Sequence, residues 1–253
     1  MRRGLAPVAA LMAALGTGTP AIAQETTPVV DRWAIGTELG LNAARGNSSY
    51  TMLSTGLRFT HLNRKQFEFD WASALTYGES NGNVIARRMS TTLRGDYGPA
   101  ATWSPFIFGS VERDRIRRVD LLSNAGVGAK WTFFRNRAGA ASLSGAGLYS
   151  YRSIRATSAT TTVEPTQRFV RASLRPKIAQ KYASGFSFEQ TTFWQPEVGN
   201  APDYNIDAAT RLGWSPSKTS TLFTQYTYRF DSRPPTGVKR EDQLMVAGIK
   251  LQF

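Results

Sequence analysis

Trp33-Ala34-Ile35-Gly36-Thr37-Glu38-Leu39-Gly40-Leu41-Asn42 is the stretch that decides the fold of this chain. Its odd positions carry bulky apolar or β-branched side chains, and its even positions carry alanine, glycine, Glu38 and Asn42. Neighbouring side chains of a strand point to opposite faces, so this is a period of two and not the 3.6-residue stripe of a helix. One face suits lipid and the other a watery interior.

The same alternation returns along the chain. Phe67, Phe69, Trp71, Ser73, Leu75 and Tyr77 oppose Glu68, Asp70, Ala72, Ala74 and Thr76, and at the end Met245, Ala247, Ile249, Leu251 and Phe253 oppose Val246, Gly248, Lys250 and Gln252. Between such segments stand eleven clusters of Gly, Pro, Asn, Asp, Ser or charge, at 44–48, 63–65, 79–83, 98–101, 114–120, 135–139, 155–166, 183–185, 196–203, 215–218 and 231–240. Eleven turns delimit twelve strands. The segment 106–111 is apolar on both faces, so its parity stays open.

A soluble β-sandwich alternates too. Segments of about 10 to 14 residues exceed the usual globular strand and match the roughly 9 to 11 tilted residues that cross a bilayer. The even-numbered gaps read as short periplasmic turns and the odd-numbered ones as longer extracellular loops, which puts both termini in the periplasm. Aromatic residues gather at segment ends, among them Trp33, Trp103, Tyr182 and Trp214 at one side and Tyr77, Tyr149, Trp194 and Tyr228 at the other. Such rings favour the membrane interface. The expected fold is all-β: a single-domain, closed antiparallel transmembrane β-barrel of about twelve strands.

The leader agrees with export. Arg2 and Arg3 precede an alanine- and leucine-rich stretch, and Ala21-Ile22-Ala23 fits a small-x-small cleavage site, so residues 1–23 read as a signal peptide. Residues 24–31 then form a short periplasmic segment and 32–253 the barrel. No later segment offers 18 consecutive apolar residues, which excludes a helical membrane protein. Cysteine is absent, which removes disulfide frameworks and cysteine zinc sites. Without the two leader arginines, 29 Lys+Arg stand against 18 Asp+Glu. An exported barrel meets lipid phosphates rather than nucleic acid, so the expected partners are outer-membrane lipids, lipopolysaccharide and, during biogenesis, the barrel-assembly machinery.

Parity places twelve cations against six acids in the lumen. Arg171, Arg175, Lys177 and Lys181 make a basic ladder on one strand, joined by Arg94, Arg211 and Arg229, while Glu38, Glu68 and Asp70 belong to the opposite, more acidic side. Charge of this kind gives a water-filled pore an anion preference, or lets long side chains pair and fill a narrow barrel. The second outcome, a mostly occluded interior, is the expectation. Residues 155–166 and Arg233-Pro234-Pro235 read as surface loops, and Arg115, Arg117 and Arg118 as candidate lipopolysaccharide contacts.

Catalysis finds little support. The single histidine, His61, falls on the lipid-facing parity at the periplasmic rim, and no serine elbow, His-Glu-x-x-His helix or metal-ligand spacing occurs. Glu68 and Asp70 pair more readily with lumen arginines than with each other. No catalytic, cofactor or metal residue is expected.

Ala44-Arg45-Gly46-Asn47-Ser48, Tyr77-Gly78-Glu79-Ser80-Asn81-Gly82, Leu93-Arg94-Gly95-Asp96-Tyr97 and Phe108-Gly109-Ser110-Val111-Glu112-Arg113-Asp114-Arg115 resemble the salt-induced outer-membrane proteins, a domain family of unknown function. The resemblance spans roughly residues 33–253 and is sharpest over 44–128; Arg117-Arg118-Val119-Asp120 departs from the more neutral turn expected there. It implies a non-enzymatic barrel serving envelope integrity or stress adaptation, with no cofactor. A small anion-preferring channel and a lipid-modifying enzyme are the alternatives.

Overall fold

The computed structural model describes residues 32–44, 50–63, 66–154, 166–235 and 237–252. Twelve strands occupy them: β1 (Arg32–Ala44), β2 (Tyr50–Asn63), β3 (Phe67–Ser80), β4 (Asn83–Tyr97), β5 (Trp103–Asp114), β6 (Val119–Arg135), β7 (Gly139–Ile154), β8 (Gln167–Lys181), β9 (Phe186–Glu197), β10 (Asn200–Trp214), β11 (Ser220–Asp231) and β12 (Glu241–Gln252). Each pairs with its chain neighbour, and β1 closes on β12. Hydrocarbon offers no water to an unpaired N–H or C=O, so closure removes an edge that would cost several kcal/mol per stranded group. Among the described residues no helix is long and apolar enough to cross a membrane; the strands of the closed barrel are the elements that do so. The leader, the segment 24–31, the first connection at 45–49, most of the seventh at 155–165, and Phe253 lie outside the described residues.

The barrel is inside-out relative to a soluble protein. Ile35, Leu39, Leu57, Leu75, Val127 and Leu212 are exposed on the outer wall, whereas Arg88, Arg171 and Arg229 are at most 5% exposed within. The structure assigns the strand whose parity was open: Trp103, Ile107 and Val111 of β5 point out, and Ser104, Phe106, Phe108, Ser110, Glu112 and Asp114 point in. His61 lies flat on the Trp33 ring at a centroid distance of 3.8 Å, an interfacial stack beside the exposed Trp33. Trp103, Phe133, Tyr182, Phe186 and Trp214 are exposed around the same end, where β1 begins and β12 finishes.

The connection lengths correct one expectation. The third and ninth are not long loops but two-residue hairpins, Asn81-Gly82 and Val198-Gly199, because β3, β4, β9 and β10 continue past the apolar band. Asn81 (φ 49°) and Gly82 (φ 76°) both adopt the left-handed region that a tight two-residue hairpin demands.

The lumen is not evenly filled. Met52, Phe223, Leu244 and Val246, with Ala86, pack inward beside the β1–β12 seam. Glycines let that wall close: a Cβ on Gly248 would stand 2.3 Å from the Leu39 carbonyl oxygen and 2.8 Å from the Phe223 ring. The remaining space, about 370 Å³, is displaced to the other side and lined by residues of β2 to β11.

Candidate functional site

The cavity wall starts from the alternation of β8. Val170, Leu174 and Ile178 point to lipid, so Arg171, Arg175, Lys177 and Lys181 line the cavity together with Phe169. Residues two apart on a strand are separated by roughly 7 Å, so Arg175 and Lys177 are adjacent on the wall, while Ser173 and Ala179 separate them from Arg171 and Lys181. Thirteen cations and seven carboxylates line the whole cavity, so the interior is net positive.

Phenylalanine rings hold several of these guanidinium groups. Arg94 lies 3.9 Å above Phe106, Arg211 3.8 Å above Phe223, Arg171 4.7 Å above Phe169 and Arg175 5.6 Å above Phe193. A ring face orients a guanidinium, at about 0.5–2 kcal/mol, without cancelling its charge. Carboxylates cancel some of them. Arg94 is bidentate to Asp96 at 2.5 and 2.7 Å, Arg211 to Glu38 at 3.0 and 3.1 Å, Arg58 donates to Asp70 at 2.9 Å, and Lys177 stands 3.6 Å from Glu189. Arg175 has no carboxylate within 4.0 Å among the described residues; it donates to the Ser144 hydroxyl at 3.4 Å. Glu68 lines the cavity, and Lys181 is exposed at its rim.

At the end away from the termini, ion pairs span the lumen. Arg88 on β4 pairs with Glu112 on β5, and Glu112 meets Arg229 at 3.6 Å from β11, the strand diametrically opposite. Arg229 also reaches Asp207 at 2.9 Å. Beside this bridge Arg117 contacts Asp231 at 3.6 Å and Asp242 at 3.3 Å, Arg152 contacts Asp231 at 3.7 Å, and Arg171 binds Asp203 at 2.7 Å. Pro235 of the eleventh connection is buried and lines the cavity at this mouth, while Arg233 beside it stays exposed as a surface loop residue.

Arg117 is a correction to the lipopolysaccharide set. The Asp114 carboxylate accepts the backbone N–H of Ile116 at 3.0 Å and of Arg117 at 3.1 Å, and Arg118 takes a left-handed φ of 57°. That turn aims Arg117 into the barrel, while Arg115 stays exposed.

Four of the acids that form ion pairs at the spanned mouth lie beyond the six that parity places in the lumen. Glu112 sat on the strand without a legible parity, Asp203 and Asp231 fell in turn clusters, and Asp242 adjoined one. Strand continuation beyond the apolar band carries all four inward, so acids are not confined to β1–β4 and the lumen is divided along its axis as well as across it. Among the described residues no group of three His, Cys, Asp or Glu is placed to hold a metal ion.

Known proteins with this architecture are outer-membrane barrels. The outer-membrane channel COG4313 from Pseudomonas putida F1 aligns over 92% of this chain and 99% of its own, with a TM-score of 0.52 and 12% identity. The NanC porin aligns over 86% and 98% with a TM-score of 0.49 and 10% identity, and the KdgM porin over 88% and 99% with 0.45 and 11%. No curated protein sequence matches the chain. The family described as "Protein of unknown function, DUF481" matches residues 37–253, and this outer-membrane β-barrel belongs to that family.

Proposed function

We propose that the barrel is a narrow, non-enzymatic conduit for small anionic solutes, with its termini in the periplasm, a cleaved leader at 1–23, and its ion-paired mouth facing outward. The observation that carries the reading is the row of cations on β8, where Arg175 lines the cavity with no carboxylate within 4.0 Å among the described residues. Holding a half-buried cation inside a barrel without a contact ion pair costs desolvation that a purely structural role does not need. An anion passing through supplies that counter-charge transiently, as rings of charge do in selective pores.

The second reading, a closed barrel that braces the envelope under stress, draws on the ion pairs spanning the far mouth. Planar-bilayer recording of the purified protein separates the two. Wild type is expected to conduct with an anion preference, and Arg175→Glu with Lys177→Glu is expected to shift the reversal potential to cation preference. Silence from both would remove the conduit and leave the brace.

A further inference from the structure

The outer wall carries three arginines that the lumen does not use. Arg87 on β4 and Arg113 on β5 point outward, each directly beyond an apolar run: Met89 and Leu93 below the first, Val111 and Ile107 below the second. The pairing of Arg88 with Asp114 sets Arg87 opposite Arg115, and the Arg115 N–H donates to the Arg87 carbonyl at 3.0 Å. All three are exposed, and none of their guanidinium groups has a carboxylate within 4.0 Å among the described residues. Glu79, close by on β3, accepts the Tyr77 hydroxyl at 3.4 Å instead. Another outward cation of this rim, Arg168, rests 5.9 Å over the Tyr151 ring.

Like charges facing each other across two strands repel. At the bilayer centre such cations would be prohibitive, and at headgroup depth they are tolerated. A phosphate there would relieve the repulsion, because guanidinium groups bind phosphate oxygens through paired, charge-assisted hydrogen bonds. The exposed Met89, Val111 and Ile107 beneath give acyl chains an apolar seat.

We propose that Arg87, Arg113 and Arg115 form a site for a phosphate group of the phosphorylated glycolipid that makes up the outer leaflet. The inference rests on the outward orientation of the ion-paired mouth given above, and it is independent of whether the lumen conducts. The full mature protein, folded in zwitterionic micelles, is titrated with bis-phosphorylated lipid A and read by native mass spectrometry. One retained lipid A is expected. The variant R87Q/R113Q/R115Q should lose retention about tenfold or more, the loss of one or more charge-assisted hydrogen bonds, and R87K/R113K/R115K should keep most of it. Should the triple glutamine variant fail to fold, R113Q alone is read in the same way. Equal retention by the glutamine variants overturns the site. Equal binding of dephosphorylated lipid A by wild type overturns the role of phosphate, and equal binding of phosphatidylglycerol overturns the assignment to the outer-leaflet glycolipid.

Discussion

Replacing Glu112 with Gln is expected to destabilise the folded barrel by about 3–5 kcal/mol and to raise its single-channel conductance. Glu112 sits between Arg88, which is 2% exposed, and Arg229, which is 5% exposed. Taking away the negative charge leaves two buried guanidinium groups facing each other, and it removes the residue that ties β5 to β11 across the lumen. Arg88 is poorly placed to recover, because its Nε and Nη1 already lack hydrogen-bond partners. Urea unfolding in lipid vesicles reads the first effect, with the exposed Lys218→Gln as a control that should stay within about 0.5 kcal/mol of wild type. Bilayer recording reads the second. Lost stability with unchanged conductance would make the spanning ion pairs a brace and not a barrier to flow.

The other large effect is expected at the seam. Gly248→Val should prevent closure of the barrel, because no Cβ fits there: the Leu39 carbonyl oxygen would be 2.3 Å away, Phe223 2.8 Å and the Gly40 Cα 2.9 Å. Two of these three are backbone atoms of β1, so no side-chain rotation relieves the clash. Overpacking commonly costs about 1–3 kcal/mol. Here the strain falls on a short ladder, where among the described residues β1 and β12 pair over positions 36–41 of β1. Gly145→Val is the matched control, since Gly145 faces outward with nothing within 4 Å of its added Cβ. The heat-modifiable band of a folded barrel should vanish from unheated gels for Gly248→Val and persist for Gly145→Val. A normal folded band for Gly248→Val would mean that the seam can widen, and that the apolar packing around Phe223 and Val246 is less constrained than the distances indicate.

Period-two alternation is a local property, and it was enough to specify twelve strands and the inward direction of Glu38, Glu68, Asp70, Arg171, Arg175, Lys177, Lys181 and Lys250. The need to pair every backbone amide in hydrocarbon then requires those strands to close into one sheet. Only the tertiary structure decided which charges meet. Glu112 and Arg229 lie 117 positions apart in the chain and six strands apart in the sheet, so their contact depends on the circumference and stagger of all twelve strands together. The same holds for Arg117, whose inward aim comes from the Asp114 turn, and for the outward trio of Arg87, Arg113 and Arg115, gathered by the register of β4 against β5. Alternation says which face a side chain takes; closure at a particular stagger says what it finds there.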